Sequence, residues 1–233
     1  AFDVMIVDEA DAFPYTFDET LQRAVEKAKR KDAPIVYVTA TPSQRLLHSF
    51  YMESYSFIPK RYHNHPLPVP QFQALWGYEK SFNRGKIPKK LKQWTEERLS
   101  RNEPFLIFFP TISLMKIATP LFQLINEHIL AVHAEDSERK EKVVKLRNKE
   151  VPGLLTTTIL ERGITISNVQ VAVVGAESPI FTASALIQIA GRVGRNIQFN
   201  DGDVLYFHHG ITIEMDEARA KILFYNKKGF FNE

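Results

Sequence analysis

The sequence predicts an α/β protein built from parallel sheets flanked by helices. Short runs of β-branched and apolar residues recur along the chain, and a stretch with helical spacing follows nearly every run. This alternation is typical of parallel sheets, because two parallel neighbouring strands must be joined by a crossover segment. Runs such as "VQVAVV" have no alternating polar face, as expected of strands that helices cover on both sides.

The elements are predicted from these runs and from the spacing of apolar residues between them. In the first helix, for example, Leu21, Ala24, Val25 and Ala28 recur at the spacing of one helical face. Strands are predicted at 3–7, 34–39, 104–109, 129–133, 153–158, 169–175 and 203–208. Helices are predicted at 17–31, 43–53, 88–101, 113–127, 136–148, 183–193 and 213–227.

A proline-rich segment divides the chain. "PKRYHNHPLPVP" has four prolines in twelve residues, which removes backbone donors and biases the preceding residues toward extended conformations. We therefore predict a linker at 59–73, between one domain at 1–58 and another at 74–233.

Composition excludes several classes of protein. The chain has no cysteine, so it can form neither a disulfide framework nor a thiolate metal site. Its longest apolar runs, at 105–109 and 171–176, have strand length and fall short of the roughly 18 residues of a membrane span. The net charge of +3 permits a polyanionic partner but is too small to indicate one.

Three carboxylates follow the first predicted strand, in "VMIVDEAD". Ligands of open parallel sheets bind beyond the carboxyl ends of the strands, where Asp8, Glu9 and Asp11 stand. An aspartate there can hold a nucleotide-bound Mg²⁺, and a neighbouring glutamate can orient or deprotonate the attacking water. The alternative interpretation of this short pattern is an acidic turn.

Hydroxyl groups follow two further strands. Thr39 and Thr41 end the strand in "VYVTATPS", where they could couple the carboxylate site to a neighbouring domain or could simply cap a turn. "TTTILERGITI", at 156–166, offers donors suited to phosphates, and Gly163 lets the chain turn there. A polar strand end is the alternative for the second stretch.

The most specific pattern is "QIAGRVGR", at 188–195. Arg192 and Arg195 are three residues apart, which on a continuing helix places them on one face. Phosphoryl transfer needs cations against the charge that develops on the γ-phosphate, and arginine supplies a permanently charged fork. The alternative is a pair of solvated arginines at a helix end.

Taken in order, the acidic run, "TAT", "TTTILERGIT" and "QIAGRVGR" resemble motifs II, III, V and VI of superfamily 2 helicases and translocases, with "FLIFFPTIS" where motif IV would be. "VDEADAFPY", "ITISNVQVAVVGAE" and "QIAGRVGR" are most similar to the ComFA family. These are competence proteins that help to draw transforming DNA into naturally transformable bacteria. PriA-type primosomal helicases are a more distant likeness.

The resemblance implies two RecA-like lobes, one partial and one complete, with ATP and Mg²⁺ in the cleft between them. It implies that Asp8 binds Mg²⁺ and that Glu9 activates water. It also assigns nucleotide contacts to Asp11, and to Gly163 and Thr165 from the second lobe.

The remaining roles are implied in the same way. Thr39 and Thr41 relay the nucleotide state between the lobes. Gln188 senses the γ-phosphate or the attacking water, and Arg192 and Arg195 act as arginine fingers.

The resemblance also implies an ATP-driven translocase acting on single-stranded DNA, with Thr111 and Thr157 contacting the nucleic-acid backbone. Other competence proteins are the implied partners. A cytoplasmic location is implied, at the inner face of the membrane.

The chain departs from the family pattern in one large respect. The phosphate loop "GxxxxGK[ST]" is absent, and motif II already begins at residue 8. We therefore expect a fragment that is inactive alone, with the phosphate loop upstream. The resemblance to ComFA also implies a four-cysteine zinc element upstream, and this chain has no cysteine to match it. A PriA-like or RNA-directed helicase and a non-enzymatic docking module remain alternatives.

Two weaker signals are interpreted as structural. The adjacent His208 and His209 point to opposite faces of a strand, which argues against a shared metal. The basic stretch "KIPKKLKQW", at 86–94, could follow a phosphate backbone, but a solvated helix face is the simpler interpretation.

Overall fold

The structure, a computed structural model, describes residues 1–10, 15, 18–42, 44–48, 54–158 and 165–230. The chain forms two compact units, Ala1–Phe57 and Ile58–Glu233. The segment predicted as a linker lies in the second unit, where a strand already begins at Gln71.

The described residues of the first unit form a two-stranded parallel sheet and two helices. Its elements are β1 (Met5–Val7), α1 (Glu19–Ala28), β2 (Ile35–Tyr37) and α2 (Gln44–His48). The register pairs Val7 with Tyr37. Two backbone hydrogen bonds extend this pairing beyond the strands, because the N–H of Val38 donates to Val7 over 2.9 Å and the N–H of Ala10 donates to Val38 over 3.0 Å.

The second unit is built on a six-stranded sheet in which all neighbours run parallel. The strands are β3 (Gln71–Ala74), β4 (Phe105–Phe108), β5 (Leu130–Val132), β6 (Gly153–Thr156), β7 (Gln170–Val174) and β8 (Val204–His208). Their order across the sheet is β3-β8-β7-β4-β6-β5. The helices are α3 (Tyr78–Asn83), α4 (Lys89–Ser100), α5 (Ile112–Gln123), α6 (Arg139–Arg147), α7 (Ala183–Ala190) and α8 (Ile213–Phe230).

Helices cover both faces of this sheet. One core cluster joins strand residues such as Val171 and Tyr206 to α6, α7 and α8. The other joins strand residues such as Ile107 and Phe207 to α3, α4 and α5. The central strands β4, β6 and β7 are buried along their whole length, and burial on both faces explains why they are mostly apolar rather than alternating.

The predicted α/β fold is confirmed, and each predicted strand corresponds to a strand of the structure with somewhat shorter bounds. The structure adds β3 and α3, which the sequence analysis did not predict. Strand β3, "QFQA", lies at the edge of the sheet, contains two glutamines and follows four prolines. No described helix has the length and apolar character needed to cross a bilayer.

Candidate functional site

The candidate carboxylates Asp8 and Glu9 lie directly beyond the carboxyl end of β1. Asp8 is exposed, and its carboxylate accepts a hydrogen bond of 2.8 Å from the backbone N–H of Glu9. Glu9 adopts a left-handed backbone conformation with φ of 51°, which is uncommon for a residue other than glycine. The chain therefore turns sharply between these two carboxylates. Asp11 lies outside the described residues.

The candidate hydroxyl residues Thr39 and Thr41 lie beyond the carboxyl end of the neighbouring strand β2. The backbone N–H of Thr41 donates to the hydroxyl of Thr39 over 3.1 Å, and Thr41 is buried. Because β1 and β2 are paired in parallel, the segments that start at Asp8 and Thr39 leave the same edge of the sheet. The structure thus brings the predicted motif II and motif III residues to one edge.

In the second unit, Arg192 and Arg195 follow α7 rather than continuing it. The helix ends at Ala190 with Gly191 as its C-cap, and Gly194 has φ of 67°. The prediction that α7 extends to 193 and carries both arginines on one helical face is therefore wrong. Instead, residues 191–195 form a turn in which the Nε of Arg195 donates to the carbonyl of Gly191 over 2.8 Å.

The two arginines of this turn differ in exposure. Arg192 is 3% exposed, whereas Arg195 is partly exposed. Gln188, in the last full turn of α7, is also partly exposed. Residues 188–195 therefore combine a buried cation with a second one that is partly exposed.

Arg61 holds this turn from the proline-rich segment. One terminal guanidinium nitrogen donates to the carbonyls of Gly191 and Val193 over 2.9 and 2.7 Å, and the other donates to Gly194 over 2.9 Å. Burial, and secondarily the nearby charge of Arg195, lowers the pKa of Arg61 to about 10. Arg61 therefore remains charged at neutral pH.

Arg61 was not among the candidate residues predicted from the sequence. The cation lies in a segment that was interpreted only through its prolines, and its partners are about 130 residues away in the chain. The adjacent Tyr62 supports the same turn, since its hydroxyl donates to the carbonyl of Arg195 over 3.0 Å. A cation and an aromatic residue between prolines were the only signal.

The segment around Thr165 packs beside the turn. Thr165 is exposed, and two residues later the hydroxyl of Ser167 accepts a hydrogen bond of 3.1 Å from the side chain of Asn196. The end of the predicted motif V is thereby joined to the end of the predicted motif VI. Gly163 lies outside the described residues.

Thr111 and Thr157 follow the carboxyl ends of the neighbouring strands β4 and β6. The hydroxyl of Thr111 caps α5 by accepting from the backbone N–H of Leu114 over 3.1 Å, although its side chain remains exposed. The carbonyl of Thr157 accepts from the hydroxyl of Thr156 over 3.1 Å. Helix capping thus accounts for Thr111 without excluding a further contact.

The predicted residues of the second unit therefore form two groups at opposite edges of the sheet. Thr111 and Thr157 lie at its carboxyl edge. The turn at 191–195 lies near its amino edge, because the chain leaves this turn toward the first residue of β8, Val204, and Asn196 contacts Ser167 just before β7. Among the described residues, no cluster of three histidine or acidic side chains could hold a metal ion.

Comparisons with known proteins agree with this architecture. Residues 87–197 match the family model described as "Helicase conserved C-terminal domain". The solved structure of S. cerevisiae Dbp5 bound to RNA and ADP BeF3 superposes with a TM-score of 0.67 and 18% identity, covering 96% of this chain and 57% of that one. At this identity the likeness shows the fold alone.

Two relatives are much closer in sequence. Competence protein ComFA of Bacillus subtilis is 47% identical over 95% of this chain. Competence protein ComFA of Streptococcus pneumoniae is 35% identical over 98% of it. The chain spans about half of each relative, 48% and 54% respectively. Over nearly its whole length the chain is therefore similar to about half of each ComFA competence protein, and its residues 87–197 match the helicase C-terminal domain.

Proposed function

We propose that this chain is the part of an ATP-driven, single-stranded DNA translocase that responds to ATP and grips DNA. The observation that carries the proposal is the turn at 191–195, in which backbone hydrogen bonds to Arg61 hold the segment bearing Arg192 and Arg195. A fixed turn suits arginine fingers, because cations stabilise a transition state best when they are already in position.

The first unit supplies groups that fit a nucleotide-bound Mg²⁺. Carboxylate oxygens are the ligands that Mg²⁺ prefers, and Asp8 presents one at the exposed carboxyl end of a parallel strand. In this proposal Asp8 holds the ion, Asp11 contacts the nucleotide, and Glu9 orients and deprotonates the attacking water. When bound, ATP would supply the phosphoryl bond whose hydrolysis drives movement. Mg²⁺ would supply the positive charge that neutralises the phosphates.

The other residues connect nucleotide state to movement. Gln188 senses the γ-phosphate or the attacking water, and Gly163 and Thr165 approach the nucleotide from the second unit. Thr39 and Thr41 relay the change between units, supported by the position of Thr39 on the same sheet edge as Asp8.

DNA contact is assigned to the carboxyl edge of the six-stranded sheet, opposite the amino edge near which the turn at 191–195 lies. Thr111 and Thr157 lie there on neighbouring strands, at the edge where ligands of parallel sheets bind. Contact with the backbone implies weak sequence preference and strong dependence on salt. Single-stranded DNA is favoured over RNA because the relatives at 47% and 35% identity are competence proteins. Other competence proteins are proposed partners, at the inner face of the cell membrane.

The test is to measure ATP turnover by the intact protein with single-stranded DNA, duplex DNA or RNA. We expect the strongest stimulation with single-stranded DNA. Stimulation by RNA alone would contradict the DNA assignment. The 233-residue chain alone should show no turnover, because its sequence contains no phosphate loop, and robust Mg²⁺-dependent hydrolysis by it would contradict this expectation.

A further inference from the structure

An exposed tryptophan lies on an aromatic support at the carboxyl edge of the six-stranded sheet. Trp76, two residues beyond β3, is 75% exposed. Its ring stacks on His209, the first residue beyond β8, with centroids 6.5 Å apart and an interplanar angle of 28°. This separation is within the range of offset aromatic stacking. One face of the tryptophan is thus supported, while most of its surface remains open.

The support beneath Trp76 is fixed by further contacts. The Nδ1 atom of His209 lies 2.7 Å from a carboxylate oxygen of Glu177, whose side chain is almost completely buried. The ring of the buried Tyr78 stacks on His209 with centroids 6.2 Å apart, and its hydroxyl donates to Glu177 over 3.0 Å. Burial, and then the charge of Glu177, raises the pKa of Tyr78, so the hydroxyl stays protonated and can donate.

A glycine makes this support possible. A Cβ atom at Gly175 would collide with the hydroxyl of Tyr78, and Gly175 itself has φ of 68°. The side chains of Tyr78, Glu177 and His209 therefore meet where β3, β7 and β8 end, on three adjacent strands. A binding residue held by such a shell needs little reorganisation when a ligand arrives.

Trp76 and the side chains that support it lie on the same edge of the sheet as the proposed DNA contacts, Thr111 and Thr157. From β3 to β6 the sheet order takes four strand-to-strand steps, which amounts to about 19 Å at the usual spacing of neighbouring strands. Trp76 and Thr157 therefore stand near the two ends of one row along the carboxyl edge. A single strand that contacts Thr111 and Thr157 could continue along this row to the tryptophan.

The charge beside Trp76 favours a polyanion. The ammonium group of Lys90, in the first turn of α4, lies 3.4 Å from the carbonyl of Ala74, the last residue of β3. Lys86 and Lys89 are exposed on the same segment, and Lys92 is exposed and pairs with Glu96 over 3.7 Å. An exposed tryptophan can also anchor a protein partner, but lysines are depleted at the centres of protein interfaces and are common beside nucleic-acid backbones.

We propose that Trp76, supported by His209, is a stacking platform for an unpaired base, and that the lysines of 86–92 contact the adjacent phosphates. Aromatic stacking is sequence-tolerant because every base has a π-face. This inference rests on the proposed function in taking a nucleic acid as the ligand. It adds a contact to the base that the threonines at this edge do not supply.

The test compares two labelled strands of equal length and charge, an oligothymidylate and a strand whose thymines are replaced by abasic sites. Fluorescence anisotropy measures their binding to the chain. The wild type should bind the thymidine strand about 5- to 150-fold more tightly, as expected for the loss of one stacked base. Trp76→Ala should abolish this preference, and Trp76→Phe should retain most of it.

Two further variants separate the contributions. Lys90→Gln should weaken the binding of both strands by the same factor, because it removes a positive charge and both strands carry the same phosphates. Leu124→Ala removes another exposed apolar side chain, 85% exposed and at the opposite end of α5 from Thr111, and should change neither affinity.

Each outcome decides one proposal. An unchanged base preference in Trp76→Ala overturns the platform, as expected if the tryptophan binds a protein instead. Failure of the chain to bind either strand also overturns it. If the base preference depends on Trp76 but only RNA stimulates ATP turnover by the intact protein, the platform stands and the DNA assignment of the proposed function fails.

Discussion

The guanidinium of Arg61 donates a hydrogen bond of 2.7 Å to the backbone carbonyl of Val193, between the two arginines proposed to act in ATP hydrolysis. The same fork also binds the carbonyls of Gly191 and Gly194. Backbone carbonyls at the end of a helix have no partner within the helix. Here the side chain of Arg61, near the start of the second unit, donates to the carbonyls that follow α7. Arg61 thus connects the segment that enters the second unit to the proposed fingers.

Replacing Arg61 should destabilise the turn. Arg61→Ala removes three hydrogen bonds to backbone carbonyls, of which that of Gly191 still accepts from Arg195, and should lower the free energy of unfolding by about 3 kcal/mol. Arg61→Lys keeps the charge but not the planar fork, so we expect an intermediate loss. Urea denaturation followed by circular dichroism measures both, with the exposed Arg147→Ala as a control that should cost well under that amount. Equal stability of all three variants would contradict the role of Arg61.

Gly194 should tolerate a side chain much less well than another glycine of the same conformation. Gly85 and Gly194 have φ of 70° and 67°, but an added Cβ meets nothing within 4 Å at Gly85 and lies 2.5 Å from the carbonyl oxygen of Asn200 at Gly194. We expect Gly85→Ala to cost about 1 kcal/mol from the backbone alone. Gly194→Ala should cost roughly 3 kcal/mol, because overpacking adds to that strain.

The same denaturation experiment checks this pair of variants. In the intact protein, Gly194→Ala should also reduce ATP turnover, since the substitution displaces the segment that carries Arg192 and Arg195. Equal losses of stability for the two glycines would show that the contact with Asn200 is easily relieved.

Turnover should depend on both units. In the intact protein we expect Glu9→Gln to lower ATP turnover at least about 100-fold, as for the loss of a general base. Arg192→Ala should lower it at least about 1,000-fold, as for the loss of an arginine finger. Binding of single-stranded DNA should persist in both variants. A coupled-enzyme assay and fluorescence anisotropy measure the two properties.

Because Arg192 is buried, its variant must first be shown to fold. Arg195→Ala, at a partly exposed position, provides a second test that carries less structural cost. Wild-type turnover in Glu9→Gln, or in both arginine variants, would contradict the assignment of the motifs.

Stability should fall as the pH is lowered below neutrality. Burial, the charge of Arg61 and then His65 lower the pKa of His63, and burial lowers that of His208. The unfolded chain therefore binds more protons than the folded one between the folded-state pKa values and about 6.5. Within this window the free energy of unfolding decreases as the pH falls, and below the folded-state values the decrease ends.

The variant His63→Gln isolates one contribution. Glutamine can still accept the hydrogen bond that the backbone N–H of His65 donates to His63, but it does not titrate. Urea denaturation between pH 7.5 and 5.0, a range chosen to span about 6.5, should show a shallower decrease for His63→Gln than for the wild type. A steeper decrease would mean that His63 gains rather than loses proton affinity on folding.

Much of the architecture followed from local sequence patterns. The apolar runs predicted the central strands because strands buried on both faces of a sheet are mostly apolar, whatever lies far away in the chain. The order of short motifs from Asp8 to Arg195 predicted the family and the candidate site, since each motif is a contiguous run. Strand β3 was missed because it is short, at the sheet edge and half polar.

Tertiary structure alone decided how the site is held. The sequence by itself determined that Arg192 and Arg195 belong to one motif, but the carbonyls that follow α7 are bound by Arg61 from about 130 residues away. The support of Trp76 by His209 likewise requires that β3 and β8 be neighbours. Such contacts arise from strand order and packing, which the local spacing of residues does not encode.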